Sequence, residues 1–310
     1  MTVLRLTFLG TSAAAPTLHR GLTALAVRRA GELLLFDCGE GTQRQMIRYG
    51  TGFDVAAIFF SHFHADHWIG AIGFLRTLSM LGRAEPLRLY GPRPAERFLG
   101  EMLFAGTEAL GFEVEIRDVA PGAEVRRPGA TLRAFATEHR VPSLGWALAE
   151  DPRPGRFHPD RARALGVPEG PLFGALQHGA PVRAGGRTVL PAEVVDPPRP
   201  GRRLVVTGDT RPCAATEDSA RGADLLVHDA TFGDEEWERA RDTFHSTARE
   251  AGRVARQAGA RRLLLTHLST RYDRDPSPLL RQAGEEFPGA EVAADGLEVE
   301  VPPSEGPGPP

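Results

Sequence analysis

The sequence predicts an α/β fold, and three observations carry the prediction. Short apolar runs of strand length alternate with stretches of helical periodicity. That alternation fills the chain up to about residue 140 and resumes near residue 204, so one architecture of buried sheets with helical faces accounts for both halves. The 310 residues are 41% hydrophobic and 25% charged, which is enough apolar material for a real core.

Taken in order, residues 3–9 alternate Leu4, Leu6 and Phe8 with polar neighbours, the pattern of a strand with one buried face. Strands follow at 22–27, 32–37, 55–60 and 87–90, with helices at 42–48 and 67–81. A further apolar run covers 132–136. Residues 151–200 then break the pattern. They hold ten of the 26 prolines and set seven arginines against five acidic residues, which predicts an inserted arm containing a short helix at 160–165. Strands return at 204–207, 225–227 and 262–266, with helices at 246–258 and 276–285. Residues 1–301 read as a single catalytic domain, and 302–310 as a disordered tail.

Composition excludes several classes of function. No apolar stretch approaches the ~18 residues of a membrane span. The first ten residues read as a strand rather than a signal peptide, and two cysteines, Cys38 and Cys213, make no disulfide framework. A cytoplasmic protein is therefore expected. The net charge of −3 gives no global attraction to nucleic acid. All 37 basic residues are arginine, and lysine and asparagine are absent. Arginine grips phosphate with paired hydrogen bonds, but a bias this uniform reflects base composition or heat tolerance better than function. No GxGxxG or Walker loop is present, so no nucleotide cofactor is expected.

The histidines choose the chemistry. His62-Phe63-His64-Ala65-Asp66-His67 follows the run 55–60. Alternation at a strand end sends His62 and His64 to one side, where one ion can take both imidazoles. The chain then turns and offers Asp66 and His67 at a helix start, displaced enough to serve a second ion. Imidazole and carboxylate donors suit Zn²⁺ or a similar divalent ion. Three further donors stand just after apolar runs: His139, Asp209 and His267. His139 would complete the site of His62 and His64, His267 that of Asp66 and His67, and Asp209 would bridge the two. A pair of ions ~3.5–4 Å apart acidifies a water to a pKa of ~7 and clamps phosphodiester oxygens, which favours hydrolysis of a phosphate ester.

This donor set resembles that of the metallo-β-lactamase superfamily. Four segments narrow the resemblance to the ribonuclease Z family of tRNA 3′-end endonucleases: Phe8-Leu9-Gly10-Thr11-Ser12, Asp37-Cys38-Gly39-Glu40-Gly41-Thr42-Gln43, Gly208-Asp209-Thr210-Arg211-Pro212 and Phe244-His245-Ser246-Thr247-Ala248. The insertion with Gly170-Pro171-Leu172-Phe173-Gly174 is similar to that family's flexible arm. The resemblance implies an αββα sandwich of two facing mixed sheets flanked by helices, and two zinc ions per subunit. It implies removal of the 3′ trailer from precursor tRNA, with a 3′-hydroxyl left on the tRNA and a 5′-phosphate on the trailer. Asp66 would double as general base, and His245 would be the general acid. A homodimer is implied, with the arm of one subunit gripping the tRNA that the other cuts. Arg153, Arg156, Arg161 and Arg163 are candidate phosphate contacts in that arm. The family commonly has Glu where this chain has Asp229, and the segment after Ala15-Pro16-Thr17 lacks an expected Asn. A small-molecule phosphodiesterase with the same ligands is the alternative, which the arm and His245 argue against.

Overall fold

The computed structural model describes residues 3–103 and 109–303. The expected tail therefore lies outside the described residues from 304 onward. Two compact units emerge: one is built from the chain up to Ala149 together with Arg203–Pro302, the other around Glu150–Arg202.

The larger unit contains two seven-stranded sheets. The strands of the first, in chain order, are β1 (Leu4–Gly10), β2 (Ala24–Arg29), β3 (Glu32–Phe36), β4 (Val55–Phe59), β5 (Leu87–Pro92) and β6 (Val114–Val119). The second begins with β7 (Glu124–Arg127), β8 (Ala130–Ala136) and β9 (Leu144–Glu150). A two-stranded ribbon in the smaller unit supplies β10 (Val182–Ala184) and β11 (Arg187–Val189). The second sheet continues with β12 (Arg203–Val206), β13 (Leu225–Asp229), β14 (Leu263–Thr266) and β15 (Glu291–Val292), while β16 (Glu298–Glu300) returns to the edge of the first beside β1. Both sheets are mixed: β3, β4, β5 and β6 run parallel, as do β12, β13, β14 and β15, whereas β1 runs antiparallel to β16 and β2, β2 to β3, β7 to β8 and β9 to β12.

The sheets face each other across one core. Leu6, Phe8, Val27, Leu34 and Phe59 come from the first sheet, and Leu132, Trp146, Leu148, Leu204 and Val227 from the second. Alternation explains the sorting, because residues i and i+2 share a face of a strand. Trp146 stands edge-on to Phe59 at 5.0 Å and donates its indole N–H to the Phe60 carbonyl at 3.1 Å. The outer face of the first sheet is covered by Met46, Trp68, Phe74, Leu78 and Leu99 from helices. Ala220, Ala251, Val254 and Leu279 do the same for the second. The result is the αββα sandwich the resemblance implied.

The single helix expected at 67–81 is two, Ala65–Trp68 and Gly70–Met80. The break lies where the chain docks on the loop after β3. A β-carbon at Gly70 would fall 1.9 Å from the Gly39 carbonyl oxygen, so only glycine allows that approach.

Residues 150–202 carry a small core of their own, formed by Ala162, Val167, Leu176, Val182, Val189 and Val194. The prolines have work here: Pro159, Pro171 and Pro191 each open a helix, where the missing N–H costs nothing and the ring presets φ. The two ends of the segment are clasped by a buried bidentate pair. Arg202 Nε and a terminal nitrogen donate to the two Glu150 carboxylate oxygens at 2.6 and 2.7 Å.

Candidate metal centre

Strand ends build the centre. Asp37 follows β3, His62 and His64 follow β4, His139 follows β8, Asp209 follows β12, Asp229 ends β13, and His267 follows β14. The carboxyl ends of parallel strands open a crevice in α/β sheets, and here both sheets contribute to it.

All seven predicted ligands converge, in two groups. In the first, His64 Nδ1 lies 2.9 Å from His62 Nε2 and 3.1 Å from His139 Nε2, while Asp209 Oδ2 lies 3.6 and 3.8 Å from the latter two nitrogens. In the second, His67 Nε2 and His267 Nε2 are 3.3 Å apart, and each stands 3.3 Å from Asp209 Oδ1. Asp66 Oδ2 completes that group at 3.4 Å from His267 and 3.6 Å from His67. Four donors placed 2.0–2.1 Å from a tetrahedral ion are spaced by roughly 3.3 Å, and both groups bracket that value. Asp209 thus turns one oxygen to each group. Its Oδ1 is buried without a hydrogen-bond partner, an expensive state for a carboxylate unless something else takes its lone pairs. The residues present are able to hold metal ions.

Four of the five imidazoles, those of His67, His62, His267 and His139, are oriented from behind. His67 Nδ1 meets Asp37 Oδ2 at 2.8 Å, and Asp37 is itself fixed by the Ser61 N–H and hydroxyl at 2.7 and 2.8 Å. His62 Nδ1 contacts the Ser61 hydroxyl at 3.0 Å, His267 Nδ1 the Thr231 hydroxyl at 2.8 Å, and His139 Nδ1 the Phe244 carbonyl at 3.1 Å. Such partners fix the tautomer and present the opposite nitrogen as a lone pair. Asp66 Oδ2 accepts the Ala14 N–H at 2.8 Å. Gly208, at φ 63°, brings Asp209 in close: a β-carbon there would lie 2.5 Å from that of Ser61. Asp37 and His267 hold left-handed φ values of 56° and 59°, strain of the kind that persists at functional sites.

The electrostatics follow the geometry. Burial alone would raise the Asp209 carboxyl, but His267, His67 and His62 outweigh it and hold Asp209 well below the usual range. Burial would likewise raise Asp66, yet the His267 hydrogen bond and the charges of His67 and His267 bring it down. Burial is the main cause lowering His62 and His139, which keeps them neutral and ready to donate a lone pair. Cys38 is buried, and burial pushes its thiol up to about 12, so it offers no thiolate.

His245 stands beside this cluster with its ring centre 5.0 Å from that of His139. Its Nδ1 meets Asp229 Oδ2 at 2.8 Å, and Asp229 also accepts the N–H groups of Thr210 and Thr231 and the Thr231 hydroxyl. Burial opposes protonation of His245, but the Asp229 carboxylate prevails and the imidazole is pushed up to about 9. Local sequence sets its position. Thr247 caps the helix Ala248–Ala258 in a reciprocal box with Glu250, and the Ser246 hydroxyl donates to the Thr210 carbonyl at 2.7 Å. The cluster opens into a cleft of about 560 Å³ lined by Ala13, Ala14, Asp66, His245, Arg239 and Arg271, among others.

Sequence reasoning gave Asp37 no role, and marked Asp229 only as a shorter carboxylate able to alter a hydrogen bond behind the ligands. The only signals were the Asp37-Cys38-Gly39 segment and the departure noted at position 229. Of the four arm arginines, Arg163 pairs with Asp160 at 2.6 Å and with Glu169, Arg161 lies 3.9 Å from Asp196, Arg156 is exposed, and Arg153 is half-buried.

The profile described as "Metallo-beta-lactamase superfamily" matches residues 21–267, and the chain belongs to that superfamily. The ribonuclease Z of Myxococcus xanthus is 62% identical over 304 residues, covering 97% of this chain and 99% of its own length. That of Haloferax volcanii is 54% identical over 302 residues, covering 96% and 95%. Within the superfamily, then, the chain is a member of the ribonuclease Z family. The crystal structure of the short form of human tRNase Z matches with a TM-score of 0.69 at 25% identity, over 96% of this chain and 99% of that one. YhfI of Bacillus subtilis, at 20% identity and a TM-score of 0.71 over 97% and 100%, shares the fold.

Proposed function

We propose that this protein is a zinc-dependent endoribonuclease that removes the 3′ trailer from precursor tRNA, leaving a 3′-hydroxyl on the tRNA and a 5′-phosphate on the trailer. The observation that carries this reading is 62% identity with a ribonuclease Z over 97% of this chain, insertion included, in a chain whose seven donors converge. In the same reading it works as a cytoplasmic homodimer, each arm gripping the tRNA cut by the other subunit, with Arg153, Arg156, Arg161 and Arg163 as candidate contacts. No helix among the described residues is long and apolar enough to cross a membrane.

His62, His64 and His139 would hold one ion, Asp66, His67 and His267 the other, and Asp209 both. Bound there, two zinc ions would supply an acidified water and charge neutralisation at the phosphoryl oxygens. The chain does the rest. Asp66, its Oδ2 fixed by the Ala14 N–H, takes a hydrogen bond from the attacking water and orients it. Water adds to phosphorus as the bond to the 3′-oxygen breaks, and the proton the water gives up passes to the Asp66 carboxylate, the general base of this reading. His245, held as imidazolium by Asp229, gives its Nε2 proton to that departing oxygen, which becomes the tRNA 3′-hydroxyl.

The test is cleavage of a trailer-bearing precursor tRNA by the zinc-loaded protein, with both product ends analysed. One internal cut giving a 3′-hydroxyl and a 5′-phosphate, lost in His64→Ala, is the expected result. Stepwise trimming from the 3′ end, or turnover of small phosphodiesters alone, would replace this reading with another.

A further inference from the structure

Three loops bring ligands and the general acid out of the second sheet, and one side chain touches all three. Arg211 belongs to the middle loop, two residues beyond Asp209. Its Nε donates to Glu138 Oε2 at 2.6 Å and its backbone N–H to the Glu138 carbonyl at 3.1 Å, which ties it to the loop of His139. Its guanidinium carbon lies 4.3 Å from the centre of the Phe244 ring, in the loop of His245.

Phe244 is the unusual residue here. It ends the helix Trp237–Thr243 at φ 61° and ψ 44°, a left-handed position that glycine ordinarily fills and that a bulky side chain takes only against a cost. Two things depend on it. Its carbonyl is aimed at His139 Nδ1, and the next residue is His245. The turn is closed by the His245 N–H donating to the Ala240 carbonyl at 2.9 Å, but a phenyl side chain still carries the cost of this φ, and the Arg211 stack is the contact on its ring that also has a fixed base in Glu138.

We propose that Arg211 is a positioning residue for the general acid: braced by Glu138, it holds Phe244 left-handed and so fixes where His245 stands. This rests on the reading of His245 as proton donor. Arg211 need not touch the substrate. Its effect should appear only where the departing oxygen needs a proton. A ribose 3′-oxygen leaves as a poor alkoxide unless protonated, whereas p-nitrophenolate leaves unaided.

The experiment therefore compares two substrates on the full-length, zinc-loaded protein: trailer-bearing precursor tRNA and bis(p-nitrophenyl) phosphate. Arg211→Ala should lower kcat on the RNA about tenfold with KM within about twofold, and lose about twofold or less on the small ester. Arg211→Lys, which keeps a cation over the ring, should stay within about threefold of the parent on RNA. In a Phe244→Gly background, where the ring is gone and the left-handed turn is free, Arg211→Ala should add less than about twofold. Equal losses on both substrates would make Arg211 part of the metal site instead. A raised KM with kcat intact would make it an RNA contact. Full additivity with Phe244→Gly would remove the stack from the argument. Each of these overturns the proposal. His245→Ala separates the two levels of inference. If it loses no more on RNA than on the ester, the general-acid reading fails. If it is selective while Arg211→Ala is neutral, only the role of Arg211 fails.

Discussion

Asp209 is the residue on which the centre turns, since each of its oxygens faces a different donor group. Its place was legible because it follows an apolar run, as do His62, His139 and His267, and strand ends are where sheets deliver side chains to a crevice. Asp37 and Asp229 were not legible in the same way. Their roles are defined by contacts with His67 and His245, which are remote in the chain, and no local pattern marks an acid that orients a histidine. Two outcomes belong to this scale. Asp37→Asn keeps the shape but weakens the hold on His67 Nδ1, so zinc affinity should fall ~10–100-fold in a chelator competition. An unchanged affinity would leave Asp37 a purely structural residue. The second concerns proton transfer. A general acid must hold its proton, so the alkaline limb of the pH–rate profile should lie at the pKa of His245, about 9, the rate falling as pH rises through it. Asp229→Asn removes the charge that raises this pKa, so the alkaline limb should move to lower pH. A limb that does not move would dissociate Asp229 from the proton donor.

At the scale of elements, the sequence showed the strands that are apolar and central and hid those at edges. β6 (Val114–Val119) and β7 (Glu124–Arg127) close opposite sheets with mostly charged or half-exposed residues, and β16 (Glu298–Glu300) is three residues long. Charge and brevity protect an edge from further pairing, and the same features erase the apolar signal. β9 (Leu144–Glu150) escaped for the opposite reason: it is buried on both faces for most of its length, so alternation is lost. The broken helix at Ile69 shows a tertiary contact overruling local periodicity, because the second helix is fixed by Gly70 against Gly39. Gly70→Ala should therefore push apart the loop of Asp37 and the turn of Asp66 and His67. Loss of zinc binding in a protein whose circular dichroism is kept, or failure to fold, is expected. Full activity would show that the close approach is dispensable.

The whole molecule joins two compact units with different work. The sandwich holds every proposed catalytic group, and residues 150–202 hold none. What was read as a proline-rich interruption is a small folded body, legible as an insertion from composition. Its core was not, because each helix is short and its partners lie across the segment. Deleting 156–191 should cripple cleavage of precursor tRNA while sparing bis(p-nitrophenyl) phosphate; equal loss of both would deny the arm a role in gripping RNA. Beneath these expectations lies one claim, that seven side chains from distant strand ends jointly hold a pair of metal ions. Anomalous diffraction at the zinc edge tests it most directly. Two peaks flanking Asp209, one against His62, His64 and His139 and one against Asp66, His67 and His267, are expected; an anomalous map with no peak at these residues, or with zinc bound elsewhere, would contradict the account.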